Sequence, residues 1–185
     1  MAVARRRVSV AERRAKHAEV DDPEQVLAAA LRFIEVRPRS VAEVRRRLTQ
    51  AGYRAGLVDG AIQRLGDLGI LDDATFTEAW VESRDRARPR GERALRRELA
   101  LKGIDRELVD EAMTARRPDP GADGDPDVAA AERLLARQAS KLRRIVDPRE
   151  RRQRTYALLV RNGFDPEIAA RLAARTDGTG DSDEA

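Results

Sequence analysis

Asp72 and Asp73 stand side by side ahead of Phe76 and Trp80, the chain's one tryptophan. Paired carboxylates can hold a metal ion or serve as acid and base. These two follow Gly69 at an expected helix start, where an N-cap contributing ~1 kcal/mol and the favourable end of the helix dipole already account for both. Phe76 and Trp80 lie at i and i+4 with Ala79 alongside, the spacing of a buried helical stripe, although Trp80 is suited to rim a contact surface. Other catalytic constellations are missing. Cysteine is absent, which excludes disulfides and thiol nucleophiles. The single histidine, His17, falls in a basic N-terminal stretch that cannot be assembled into a triad or a common zinc cluster. Gly52, Gly56 and Gly60 recur every fourth residue with no strand before them, so they are not a phosphate-binding loop. The chain is therefore expected to be no enzyme, with no cofactor and no metal.

Arginine carries the remaining chemical signal. Arg84, Arg86, Arg88, Arg90, Arg93, Arg96 and Arg97 cluster in one region; Arg137, Lys141, Arg143, Arg144, Arg149, Arg151, Arg152 and Arg154 cluster in another. Surfaces of this kind, neutralising about six to ten phosphates, bind nucleic acid with steep salt dependence. Pairs at i and i+4, Glu92 with Arg96 and Glu98 with Lys102, would instead make part of the first cluster a solvated helix face. Residues 133–154 resist that reading, because only Asp147 and Glu150 oppose their basic side chains. Few aromatics interleave with these arginines, so recognition of backbone and shape is expected over base stacking.

Composition limits how such residues can be positioned. The 185 residues are 41% hydrophobic and 38% charged but only 3% aromatic, which suits many thin helix–helix seams better than one deep core. Net charge is +4; residues 1–176 carry +8, set against Asp177, Asp181, Asp183 and Glu184 in an acidic tail. This balance suggests a polyanionic partner or an acidic protein surface. No apolar run approaches a membrane span or a signal-peptide core, so a soluble, cytoplasmic protein without membrane contact is expected.

The elements follow from caps and periodicity. Residues 1–21 show no sustained apolar period and read as a basic mobile arm. Asp22-Pro23 then opens a helix carrying Leu27, Leu31 and Ile34, and Pro38 closes it. Ser40 and Glu43 form a capping box before Val41, Val44 and Leu48, and Leu57, Val58, Ala61, Ile62 and Leu65 mark a third helix. The pattern recurs with helices near 73–87, 91–102 and 105–116, and again near 126–144, 148–162 and 166–175. Each middle helix ends alike, at Leu48…Gly52-Tyr53, Leu99…Gly103-Ile104 and Leu159…Gly163-Phe164, the signature of a Schellman cap with glycine in the left-handed conformation. The expected fold is all-α: a tandem array of three three-helix repeats at 22–70, 71–116 and 125–176 in an elongated, curved molecule, with a linker at 117–124 and a disordered tail at 177–185.

The stretch Gly69-Ile-Leu-Asp-Asp-Ala-x-Phe-x-x-x-Trp-Val-x-x-Arg84, followed by Gly91-x-x-x-Leu95-x-x-Glu98-Leu99-x-x-Lys102-Gly103-Ile104, closely resembles the RecX regulatory family. The resemblance covers residues 24–175. It is most specific in the second repeat and rests mainly on the Gly163-Phe164 cap in the third. It implies tandem three-helix repeats and a modulator of the RecA recombinase. Such a protein binds RecA and its filament on single-stranded DNA, lies along the filament groove, and suppresses strand exchange and ATP hydrolysis, so regulating DNA repair and the SOS response. The expected partners are RecA, single-stranded DNA and also double-stranded DNA, with the protein acting as a monomer. Arg84, Arg88, Arg90, Arg93 and Arg97, with Arg143, Arg144, Arg151 and Arg152, are the candidate contact residues. A helix-turn-helix DNA-binding regulator acting without a recombinase is the alternative. Against it, the expected third helices are poor in base-reading side chains, since 108–113 offers acids and 168–174 only Arg171.

Overall fold

The computed structural model describes residues 9–116 and 124–176, and these form ten α-helices with no strand among the described residues. They are α1 (Val10–Ala18), α2 (Pro23–Ile34), α3 (Val41–Ala51), α4 (Ala55–Asp67), α5 (Asp73–Ala87), α6 (Glu92–Leu101), α7 (Arg106–Arg116), α8 (Pro126–Arg143), α9 (Pro148–Arg161) and α10 (Pro166–Arg175). The nine from α2 onward lie where caps and periodicity place them. Residues 1–8, most of the expected linker and the expected tail lie outside the described residues. The chain packs as two compact units. One gathers the described residues up to Phe76 with Lys102–Ile104; the other comprises Thr77–Leu101 and the described residues from Asp105 onward. The division falls inside α5, so packing units and sequence repeats do not coincide.

In the first unit, the described part of the expected arm is a helix. Ser9 Oγ accepts from the Glu12 amide at 3.0 Å and Glu12 Oε2 from the Ser9 amide at 2.6 Å, a complete capping box at the start of α1. The α1 backbone packs so closely on Gly52 that a β-carbon there would sit 2.6 Å from the Arg14 carbonyl oxygen. His17 stacks on Tyr53 with ring centroids 4.4 Å apart, and its Nδ1 lies 2.8 Å from the Ala51 carbonyl oxygen. No residue of α1 is buried. Polar capping, one ring stack and a backbone seat hold it, none of which leaves an apolar period in the sequence.

The core of this unit is Val26, Ala30, Val44, Leu48, Val58, Ala61, Leu65 and Leu71. In α2 the fully buried line is Val26 and Ala30, while Leu27, Leu31 and Ile34 pack half-buried at its margin. The expected stripe is thus turned by about one residue. Tyr53 donates its amide to the Leu48 carbonyl at 3.3 Å beyond Gly52, whose φ is 106°, closing α3 as a Schellman cap.

The second unit buries Ala94, Leu95 and Leu99 on α6, and Val109 and Met113 on α7. Around α8 to α10 its core is Ala130, Ala131, Leu159, Phe164, Ala169 and Leu172. Phe164 donates to the Leu159 carbonyl at 3.3 Å after Gly163, at φ 85°. Gly163 is also a close crossing: a β-carbon on Gly91 would come within 2.3 Å of the Gly163 carbonyl oxygen, and one on Gly163 within 2.4 Å of Ala94. The segment joining α5 to α6 therefore lies directly against the C-terminal end of α9.

Candidate interaction surface

The acids that open α5 serve structure. Asp72 accepts from the Ala74 and Thr75 amides at 3.1 and 2.9 Å, and from the Thr75 hydroxyl. These bonds, led by the hydroxyl, hold its carboxyl below the usual range. Asp73 accepts from the Val41 amide at 2.9 Å at the start of α3, and burial pushes its carboxyl upward. Phe76 is buried. Among the described residues, no group of three or more histidines and acids converges to hold a metal ion, and no helix is long and apolar enough to cross a membrane.

A second fastening in the first unit centres on Glu43. Arg37 and Lys102 each approach its Oε1 at 2.8 Å, Arg39 lies 4.0 Å away, and Ser40 Oγ, which caps α3, also donates to the Lys102 carbonyl at 2.6 Å. Burial alone would raise the Glu43 carboxyl, but Arg37, Lys102 and the Ser40 amide outweigh it and hold the carboxyl at about 2.

Within the second unit, the candidate arginines divide into two groups. Arg84 is engaged: Nε donates to Glu98 Oε2 at 2.6 Å, and its guanidinium lies 4.1 Å from the centre of the Trp80 ring. Trp80 Nε1 donates to the same carboxylate oxygen at 3.1 Å. Glu98 therefore faces Trp80, Arg84 and, at 3.5 Å, Arg90, in place of the expected pair with Lys102, whose ammonium goes to Glu43. The expected Glu92–Arg96 pair is present at 2.8 Å. Arg90 also donates to the Asn162 side chain, and Arg93 pairs with Asp165 at 2.9 Å. Arg84, Arg90 and Arg93 thus tie α5 and α6 to each other, to the end of α9 and to the start of α10.

Arg116 completes this fastening and was not legible as a site. Its side chain is 6% exposed; Nε and Nη2 form a two-pronged pair with Asp85 at 2.9 and 2.8 Å, Nη1 reaches Asp127 at 2.5 Å, and Nη2 donates to the Arg90 carbonyl at 3.2 Å. Asp127 in turn accepts from the Glu92 amide at 3.0 and 3.2 Å, which caps α6. Burial raises the Asp127 carboxyl against the pull of that amide and of Arg116. For Arg116, burial opposes the charge, yet the two carboxylates prevail and raise its affinity for the proton.

The other candidates form no such contacts. Arg88, Arg97, Arg143, Arg144 and Arg152 are exposed, and none has an ion-pair partner among the described residues; the same holds for Arg149. Arg151 is half-buried and donates to the Ile145 carbonyl at 3.3 Å, turned toward the α8–α9 connection. Between Arg143 and Arg152, Asp147 uses its carboxylate to cap α9 through the Arg149 amide at 2.9 Å, and Glu150 pairs with Arg154 at 3.3 Å. An uncompensated basic surface therefore remains at the end of α8 and the start of α9, where it can bind a polyanion.

Comparison with known proteins agrees with this architecture. Residues 27–65 match the family described as RecX, first three-helix domain, and residues 72–113 match RecX, second three-helix domain. A regulatory protein RecX of Mycobacterium ulcerans is 31% identical over 159 residues, covering 83% of this chain and 88% of its own. One from Mycolicibacterium vanbaalenii is 34% identical over 154 residues, covering 79% of each chain. The crystal structure of RecX from Lactobacillus salivarius superposes with a TM-score of 0.68 at 21% identity, over 85% of this chain and 97% of that one.

Proposed function

The chain belongs to the RecX family of regulatory proteins, and we propose that it acts on the RecA recombinase, binding RecA and its filament on single-stranded DNA and restraining strand exchange and ATP hydrolysis. It works in the cytoplasm as a monomer without a catalytic step of its own, and so tempers DNA repair and the SOS response. The three three-helix repeats at 22–70, 71–116 and 125–176 serve as its contact modules. The observation that carries this reading is the set of exposed arginines without ion-pair partners, Arg88, Arg97, Arg143, Arg144 and Arg152. A filament of protein on a phosphate backbone offers such a surface many weak contacts whose sum is large.

Arg84, Arg90, Arg93 and Arg151 are engaged in the bonds described above, Arg93 at the exposed surface, and so serve the fold more than the contact. The test is ATP hydrolysis by the cognate recombinase on single-stranded DNA with substoichiometric amounts of this protein. Suppression is expected from the wild type and is expected to fail when the five free arginines are changed to glutamate in a protein that still unfolds cooperatively. Unaltered suppression by that variant would remove the arginine surface from the proposal. No suppression by the wild type would remove the recombinase itself.

A further inference from the structure

Besides the buried Phe164, Tyr156 is the only aromatic residue in 125–176, and it is 38% exposed on α9. Arg149, Arg152, Gln153 and Tyr156 follow one another at i, i+3, i+4 and i+7, which places them along one stripe of the helix. With Ala170 and Ala173 of α10 they line a groove of about 320 Å³. No carboxylate lines it, and the two acids nearest in sequence, Asp147 and Glu150, are occupied as described. Two alanine methyls leave room for a flat group, a phenol ring offers it a face, and two guanidiniums without ion-pair partners stand beside it.

We infer that this groove receives an unpaired nucleotide of single-stranded DNA, its base stacked on Tyr156 and its flanking phosphates held by Arg149 and Arg152. The inference rests on the proposed action at a single-stranded nucleoprotein filament and assigns part of that contact to named side chains. An acidic peptide would satisfy the guanidiniums but gain little from the ring. Duplex DNA would satisfy them too, yet its bases are already stacked and paired, so the ring would go unused. A free base gains from the ring whatever its identity, so the contact is tolerant of sequence. The two arginines supply the salt-dependent part and Tyr156 the part that salt leaves alone.

Binding of the full-length protein to a fluorescent oligothymidylate and to a duplex of equal length, without recombinase and across salt concentrations, tests this. Tyr156→Ala is expected to weaken oligothymidylate binding about tenfold, with duplex affinity and the salt slope unchanged. Tyr156→Phe keeps wild-type binding, and Arg149→Ser with Arg152→Ser flattens the salt slope. Photocrosslinking from 5-iododeoxyuridine in the oligonucleotide is expected to map to Tyr156. Equal binding by Tyr156→Ala and wild type, equal losses on single strand and duplex, or a wild type that fails to bind oligothymidylate overturns the inference. The regulatory reading fails separately: a protein that binds through Tyr156 but leaves recombinase ATP hydrolysis unslowed sinks that reading and keeps this one.

Discussion

Residues 84–97 hold seven arginines and residues 143–154 hold six, at similar density and with similar helical surroundings. In the first segment Arg84, Arg86, Arg90, Arg93 and Arg96 each meet a carboxylate. In the second, only Arg154 does among the described residues. The difference lies in the supply of acids: Glu82, Glu92, Glu98 and Asp165 come within reach of the first, whereas Asp147 and Glu150 are committed to a cap and to one pair. Arginine density alone therefore does not separate a fastener from a surface. What separates them is whether carboxylates stand within a helical turn or on a helix packed alongside.

Arg116→Ala should break the first segment most severely. It would leave Asp85 and the buried Asp127 without their cation and release the Arg90 carbonyl, a loss of ~3–5 kcal/mol by analogy with other interrupted buried pairs. Arg152→Ala, which removes an exposed side chain with no partner, should change stability by less than about 0.5 kcal/mol. Chemical denaturation of the two variants side by side measures the contrast. Equal shifts in midpoint would mean that the hub does not hold the segment.

The first unit holds an engaged carboxylate whose contribution can be read by pH. Glu43 has its folded-state carboxyl held at about 2, below an ordinary value of 4.5. A depressed carboxylate stabilises the fold above its unfolded value, and that contribution is lost as pH falls through the folded value. Stability should therefore decline between pH about 4.5 and about 2, by about 3 kcal/mol from this group. Glu43→Gln should start lower at neutral pH and show a shallower acid limb. Parallel acid limbs for variant and wild type would show that Arg37 and Lys102 do not act on Glu43 in this way. Asp127, raised by burial, works with the opposite sign and makes the wild-type limb less steep.

Where local chemistry decides the outcome, the sequence is a good guide. Pro at N1 after Asp fixes the starts of α2, α8, α9 and α10. Glycines after Leu48 and Leu159 fix the ends of α3 and α9. Helix α1 left a signal as well, since Ser9-x-x-Glu12 is a capping box, but without an apolar stripe behind it the segment reads as an arm. Partners distant along the chain leave no comparable mark. Arg116 meets Asp85 across 31 residues and Lys102 meets Glu43 across 59, so the partner of each depends on how helices pack. For the same reason Arg84, on α5, and Arg88, just past its end, have opposite fates: Glu98 of α6 reaches one and no described carboxylate reaches the other. Scarce aromatics near the arginines point away from base stacking, yet the helical spacing of Tyr156 from Arg149 and Arg152 is present in the sequence.

The smallest change in stability should accompany the largest change in binding. Glutamate at Arg143, Arg144, Arg149 and Arg152 adds acids where no ion pair is broken, so each substitution should shift stability by no more than about 0.5 kcal/mol. Glutamate at Arg84, Arg90 and Arg93 instead faces Glu98, Asn162 and Asp165 with a like charge or a lost donor, and should destabilise the second unit measurably. On single-stranded DNA the first variant should lose affinity and lower the salt slope by roughly 0.7 for each phosphate contact removed. A loss of affinity by the second variant in proportion to its unfolded fraction, with the slope retained by the folded remainder, would place the binding charge on α8 and α9. A reduced slope in the second variant at full folding would move that charge back to residues 84–93, because a slope counts phosphates neutralised and is blind to how firmly the helices beneath them are held.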